Sequence, residues 1–441
     1  MEHIAPLPSD EKSKREIVDE ALSRIHDSTG QGRLTFTRVY DVAAQSTADA
    51  ADQMRHQGIE QHPLAGMPIS IKDLFDVKGE TTLAGSRVLE GTPAAAHDAE
   101  VVRRLRRVGA AIVGKTNMTE FAFSGLGLNP HYGTPLNGWD RANARIPGGS
   151  SSGAAISIVD GMAVAAIGTD TGGSCRIPAA LNGIVGMKPS ASSVPTDGLL
   201  PLSESYDSIG PLTSSVTTCA NVYSVISNTS GALTKRPTTS LRLGVITNYV
   251  LAGMDGTVAS AYESAIKKLA ASGAHMQDVS LPVLEKLPEL FQDGGVVAAE
   301  AYHWHRDYLA RCEDQYDPRV SARMRRGASI TAADYLAMLQ KRRALVCEWQ
   351  EQTADFDAVL MPTVPLVAPK LDDLIDDDEY NRSNLLLLRN PTVVNALNGC
   401  AISIPCHLPG EAPVGLSIAG AHGRDWSILG LAFSVEKLLR T

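Results

Sequence analysis

Apolar residues near the start of the chain recur at three- and four-residue spacing. Ile17, Val18, Ala21, Leu22 and Ile25 form one stripe, which predicts a helix over 9–27 with Ser9 as its N-cap. The period then changes. Over 66–73 (GMPISIKD) polar and apolar positions alternate, so a strand places Met67, Ile69 and Ile71 on one face and Ser70 and Lys72 on the other. An amphipathic helix is predicted over 98–108, where Val101, Val102, Leu105 and Val108 oppose four arginines and Gly109 suits the C-terminal cap. Residues 111–113 read as a short buried strand.

From 147 to 193 the chain is dense in Gly, Ser and Ala. Small residues let backbones approach closely, and glycine permits turns closed to other residues. An apolar stretch (163–167), a turn-rich block (TDTGGSCRIPA) and a second apolar piece (184–187) follow one another. Further along, 241–246 and 413–419 read as strands, 356–369 as a strand entering a Pro-rich loop, and 258–272, 293–312 and 427–439 as helices. The acidic run 372–379 reads as a solvated loop. No internal repeat and no clean linker interrupts this alternation, which points to an α/β core.

Composition narrows the function. A net charge of -9 argues against nucleic-acid and anionic-membrane partners, which need a basic face. The apolar stretch 154–168 is broken by Asp160 and Gly161 and falls short of a membrane span. The polar N-terminus lacks a signal-peptide pattern. Six cysteines, with no C-x-x-C pair and no Cys/His cluster at ligand spacing, read as reduced thiols of a cytoplasmic protein without a metal.

Residues 109–116 (GAAIVGKT) match the phosphate-loop pattern in full. The pattern is meaningful only between a strand and a following helix. Here a helix precedes it and its middle residues are apolar, so the expectation is a helix cap, a core strand and its exit turn.

More informative is PGGSSSG at 147–153, followed 24 residues after Ser150 by Ser174 in GTDTGGS. Gly-Gly-Ser turns expose a hydroxyl and aim successive N–H groups at one point, as acyl transfer requires of a nucleophile and its oxyanion hole. A serine needs a base. The histidines are dispersed, and His303 and His305 read as helix-surface residues. A lysine serves if burial keeps it neutral. Lys72 ends an apolar strand, where it would either do so or pair with Asp73 or Asp76.

These segments resemble the amidase signature family of Ser–cis-Ser–Lys hydrolases. The resemblance rests on PGGSSSG, on GTDTGGSCRIPA at 168–179, on GMPISIKD, on VGKTNMTEFAF at 113–123, and on the C-terminal MPTVPLVAP and APVGLSIAG stretches. It runs from about residue 60 to the C-terminus and weakens between 225 and 350. It implies one large α/β domain, a mixed twisted sheet covered by helices on both faces. A helical segment (1–60) would pack on the catalytic region (61–441), and the variable stretch 225–350 would shape the pocket. By position it makes Ser174 the nucleophile, Ser150 the serine beside a cis peptide bond and Lys72 the general base. Thr171, Gly172, Gly173 and Ser174 would supply the oxyanion N–H groups. Ser152 stands where the pattern has Gly, which touches loop shape and not chemistry.

The implied function is hydrolysis of a C–N bond in an amide, carbamate, ureido or anilide substrate, with no cofactor. The expected partner is that small molecule, with a homodimer left open. Two rivals are a glutamine-hydrolysing A subunit of a tRNA-dependent amidotransferase and a non-catalytic binding protein on the same fold. Arg176 is expected to brace the loop through Asp170 rather than bind substrate. Phe291, Tyr302, Trp304 and Tyr308 are open between pocket and core.

Overall fold

A computed structural model describes residues 12–440. Its backbone is one eleven-stranded mixed sheet with helices on both faces, the α/β domain the sequence predicts. In chain order the strands are β1 (Phe36–Val39), β2 (Pro68–Lys72), β3 (Ala111–Thr116), β4 (Ala165–Thr169), β5 (Val185–Lys188), β6 (Ile209–Thr213), β7 (Arg242–Ile246), β8 (His275–Val279), β9 (Ala358–Pro362), β10 (Cys400–Pro405) and β11 (Gly415–Gly420). They lie in the order β1-β3-β2-β4-β6-β5-β10-β11-β9-β7-β8. β2 pairs parallel with both β3 and β4, so the C-terminal ends of these strands share one edge. Open α/β sheets bind their ligands at such ends.

The N-terminal helix runs Lys14–His26. Ser13 caps it, with Glu16 completing a capping box, and its buried stripe is the one that the three- and four-residue spacing marks. The expected cap Ser9 lies outside the described residues. The segment before residue 60 is not purely helical, because β1 adds an edge strand to the sheet beside β3.

β3 is longer than expected. Gly114, Lys115 and Thr116 lie in the ladder and not in an exit turn. A side chain at Gly114 would meet the Arg38 carbonyl at 2.2 Å, and Lys115 Nζ lies 2.7 Å from buried Asp73 Oδ1. The lysine of the phosphate-loop match is thus already neutralised inside the sheet. The acidic run also departs from expectation. Asp376 caps the helix Asp377–Ala396, and Asp377, Asp378 and Glu379 fill its first turn, where carboxylates meet free N–H groups.

Candidate active site

The alternation in β2 sets the site. Ile69 and Ile71 join the main core cluster. The opposite face, with Ser70 and Lys72, is equally buried, because the helix Ser152–Val159 lies over it and Ser157 Oγ meets Ser70 Oγ at 2.8 Å. That helix is apolar on all sides, as burial between sheet and neighbours demands. Ser150 precedes it, and the Gly149–Ser150 peptide is cis.

Lys72 Nζ is fully buried, 2.7 Å from Ser150 Oγ and 2.8 Å from Thr169 Oγ1. It pairs with neither aspartate considered for it. Asp73 takes Lys115, and Asp76 accepts from Thr82 at 2.6 Å. Burial pulls the Lys72 ammonium down to about 7, against the opposing fields of Asp207 and Asp170.

Ser174 ends the turn after β4, and its carbonyl accepts from the Ser151 N–H at 3.3 Å, tying the two serine segments together. Its hydroxyl makes no hydrogen bond among the described residues. It opens on a cavity of about 480 Å3 that Thr171 and Gly172 also line. No protein group accepts from the N–H of Thr171, Gly172 or Ser174 among the described residues. Gly173 differs: its N–H donates to Asp170 Oδ1 at 2.9 Å, and it does not line the cavity. Its φ of 128°, with Pro391 and Ile177 against the position a Cβ would take, leaves room only for glycine.

Asp170 organises this turn. It accepts from the N–H of Gly173 and Cys175, from Asn395 and, through two nitrogens, from Arg176. Burial alone would raise its carboxyl, but the Arg176 guanidinium outweighs burial and brings it to about 2. Arg176 therefore braces the loop. Arg176→Gln should cost about 3–5 kcal/mol in urea unfolding, because it leaves a buried carboxylate without its cation. The Asp170 pKa lies below its unfolded value, so wild type should lose this contribution as pH falls from about 4 toward 2, and the variant should not. A loss under about 1 kcal/mol would remove the bracing role.

Several other assignments change. His303 is exposed, but His305 is buried, bonded to the Tyr316 hydroxyl at 2.9 Å and brought down to about 3 by burial, which excludes it from the helix surface. Phe291 lines the cavity with Ser174, whereas Tyr302 and Trp304 line another and Tyr308 stacks on Trp304. Ser152 begins its helix with a buried hydroxyl that has no hydrogen-bond partner among the described residues. Cys175 Sγ–H points at the Gly210 carbonyl, and burial pushes its thiol up. Two residues of the site escaped the sequence. Thr169 was signalled only by its place in GTDTGGS. Asp207, which accepts from the Thr171 hydroxyl and from the N–H of Leu202 and Ser203, had no signal. Burial pushes the Asp207 carboxyl up to about 6.

Fold and relatives together define an enzyme that hydrolyses C–N bonds. The Amidase family model matches residues 16–429, and the chain belongs to that family. The 2-amino-5-chloromuconic acid deaminase of Comamonas testosteroni is 36% identical, covering 99% of this chain and 95% of its own length. The glutamyl-tRNA(Gln) amidotransferase of Methanococcoides burtonii has an A subunit that is 31% identical over 99% of this chain and 95% of its own. A crystal structure of an amidase superposes with a TM-score of 0.86 at 33% identity, covering 97% of this chain and 96% of that one. Among the described residues no helix is long and apolar enough to cross a membrane.

Proposed function

We propose that this enzyme hydrolyses amide or amide-like substrates through an acyl-enzyme on Ser174, with Ser150 and neutral Lys72 as proton relay. One observation carries the reading: a buried amine, with no carboxylate partner among the described residues, in contact with the Ser150 hydroxyl. Its two contacts suit an uncharged amine. Both are hydroxyls, those of Ser150 and Thr169, and neither is a carboxylate.

In the acylation step Ser174 Oγ bonds to the carbonyl carbon while its proton passes to Ser150 and the Ser150 proton to Lys72. The N–H groups of Thr171, Gly172 and Ser174 hold the negative oxygen, and Gly173 shapes the turn from behind through Asp170. The C–N bond then breaks as the relay returns a proton to the departing nitrogen, which leaves poorly without one. Water attacks the ester by the same route, giving the carboxylic acid and regenerating the serine.

The test is covalent trapping. A fluorophosphonate, which phosphonylates activated serines, should label Ser174 stoichiometrically, and peptide mass spectrometry should find Ser150 unlabelled. Labelling at Ser150 or at neither serine would overturn the nucleophile. Glutamine hydrolysis is the second reading, favoured by the amidotransferase relatives at 31% and 33% identity. Glutaminase activity that emerges only with a second protein chain would select it.

A further inference from the structure

An oxyanion hole works only if its N–H groups are aimed, and the aim is set by what holds the neighbouring carbonyls. In a trans peptide the C=O and the following N–H point in opposite directions, so a donor that holds the carbonyl from one side turns the N–H to the other. Every peptide of the turn after β4 is trans. For the Asp170–Thr171 peptide the holders come from far along the chain. β4 and β6 pair antiparallel, with Thr169 opposite Ile209. One residue further on, the Asp170 N–H still reaches the Ser208 carbonyl at 2.7 Å, and the Ser208 hydroxyl donates back to the Asp170 carbonyl at 2.8 Å. Asn395 Nδ2 reaches the same carbonyl at 3.0 Å. Both side chains are buried, and together they satisfy the two lone pairs of that oxygen. The Thr171 N–H is thereby turned the other way, toward the cavity that Thr171 lines. Asp207, the neighbour of Ser208, accepts from the Thr171 hydroxyl, so one segment grips this residue at two points.

The other peptides of the turn obey the same rule. The Gly173 carbonyl accepts from the Ile177 N–H at 2.7 Å, inside the helix Arg176–Asn182, and the Ser174 N–H is left without a protein acceptor. The Gly172–Gly173 peptide runs the opposite way. Its carbonyl accepts at 3.1 Å from Thr392, a residue that lines the cavity, and its N–H turns away from the cavity to Asp170. The side from which each carbonyl is held thus accounts for which N–H groups are free to meet a substrate.

We infer that Ser208 is a positioning residue of the oxyanion hole: with Asn395 it holds the Asp170 carbonyl so that the Thr171 N–H meets the negative charge on the substrate oxygen. The inference deepens the acyl-enzyme reading above and rests on it. Ser208 does not line the cavity, so it acts only through this peptide. It is also the cleaner of the two holders to remove, because Asn395 further serves the Asp170 carboxylate and Arg176.

The test separates holding an oxyanion from merely binding. The probes are a series of alkyl and aryl trifluoromethyl ketones and their carbinols, titrated against the full-length enzyme. With a ketone, Ser174 Oγ bonds to the carbonyl carbon, the C=O electron pair becomes the oxyanion and the serine proton passes to the relay. The carbinol has a similar shape and cannot add. In Ser208→Ala the best ketone should bind roughly tenfold to a hundredfold more weakly, short of the ~10²–10³ that loss of a whole donor costs, because Asn395 still holds the carbonyl. The carbinol should bind as it does to wild type, and kcat for any amide turned over should fall with the ketone's affinity while KM stays. Ser208→Thr, which keeps the hydroxyl, should restore the ketone's affinity. Thr171→Val loses the bond to Asp207 but keeps its N–H, and it should show the same split between ketone and carbinol even if Ser208→Ala does not fold. Equal ketone affinity in the variants and wild type, or equal weakening of ketone and carbinol, would overturn the inference. Its failure is separable from failure of the reaction. A wild type that forms no adduct at Ser174 with any ketone, read by fluorine NMR, would sink the acyl-enzyme reading. An adduct in wild type that Ser208→Ala forms as tightly would sink only the positioning role.

Discussion

Ser174→Ala is expected to lower kcat by on the order of 10⁶-fold, the scale seen when a hydrolase loses its nucleophilic serine. The reason is local. The Ser174 hydroxyl faces the cavity and makes no hydrogen bond among the described residues, so its removal deletes the proposed nucleophile and little structure. The turn is kept by backbone and by Asp170: the Ser174 carbonyl still receives the Ser151 N–H, and the Gly173 N–H still reaches its carboxylate. Stability should therefore move by no more than about 0.5 kcal/mol. Cys175 cannot substitute, because its thiol is buried against the Gly210 carbonyl and held protonated. Steady-state hydrolysis beside a thermal melt reads both quantities. Retained turnover within tenfold of wild type, in a folded variant, would end the assignment.

How much of this was legible in advance depended on the range of the interaction. Periodicity exposed elements with one wet face, such as the helix Lys14–His26 and the run ending in Gly109. It failed for buried ones. The helix Ser152–Val159 is apolar all round and carries no stripe. The helix Arg176–Asn182 hides in a block whose glycines and Pro178 read as a turn. β10 and the helix Asp377–Ala396 were missed because their signals are set by partners far along the chain. The candidate residues Lys72, Ser150, Thr171, Gly172 and Ser174 lie in short motifs, and the fold brings Lys72 onto Ser150 and ties the two serine segments together. Gly173 was grouped with the oxyanion donors because nothing local shows its N–H turned to Asp170. Asp207 comes from a remote segment, and only the folded chain brings its carboxylate to the Thr171 hydroxyl and the N–H groups of Leu202 and Ser203.

Lys72→Met carries the other large expectation, a fall in kcat/KM on the order of 10³-fold with a change in its pH dependence. In the proposed relay the reactive form is the neutral amine, so kcat/KM of the wild type should rise with pH through about 7 and then level. The variant has no group to titrate there, and its residual rate should be flat across that region. Stability gives an independent reading of the same proton. The folded pKa lies below the unfolded value of about 10.4, so between the two the unfolded chain binds more protons. Wild-type stability should thus rise with pH from about 7 toward 10. Below about 7 both states are protonated, and the cost of burying the charge is felt in full. Met removes that cost but leaves Ser150 and Thr169 without their shared partner. The stability of Lys72→Met relative to wild type should accordingly be most favourable at acidic pH and decline as pH rises. Urea midpoints across that range report the buried proton, and the rate profile distinguishes a base from a strut. If the lysine only braced its neighbours, its replacement would leave the rising limb of the rate in place.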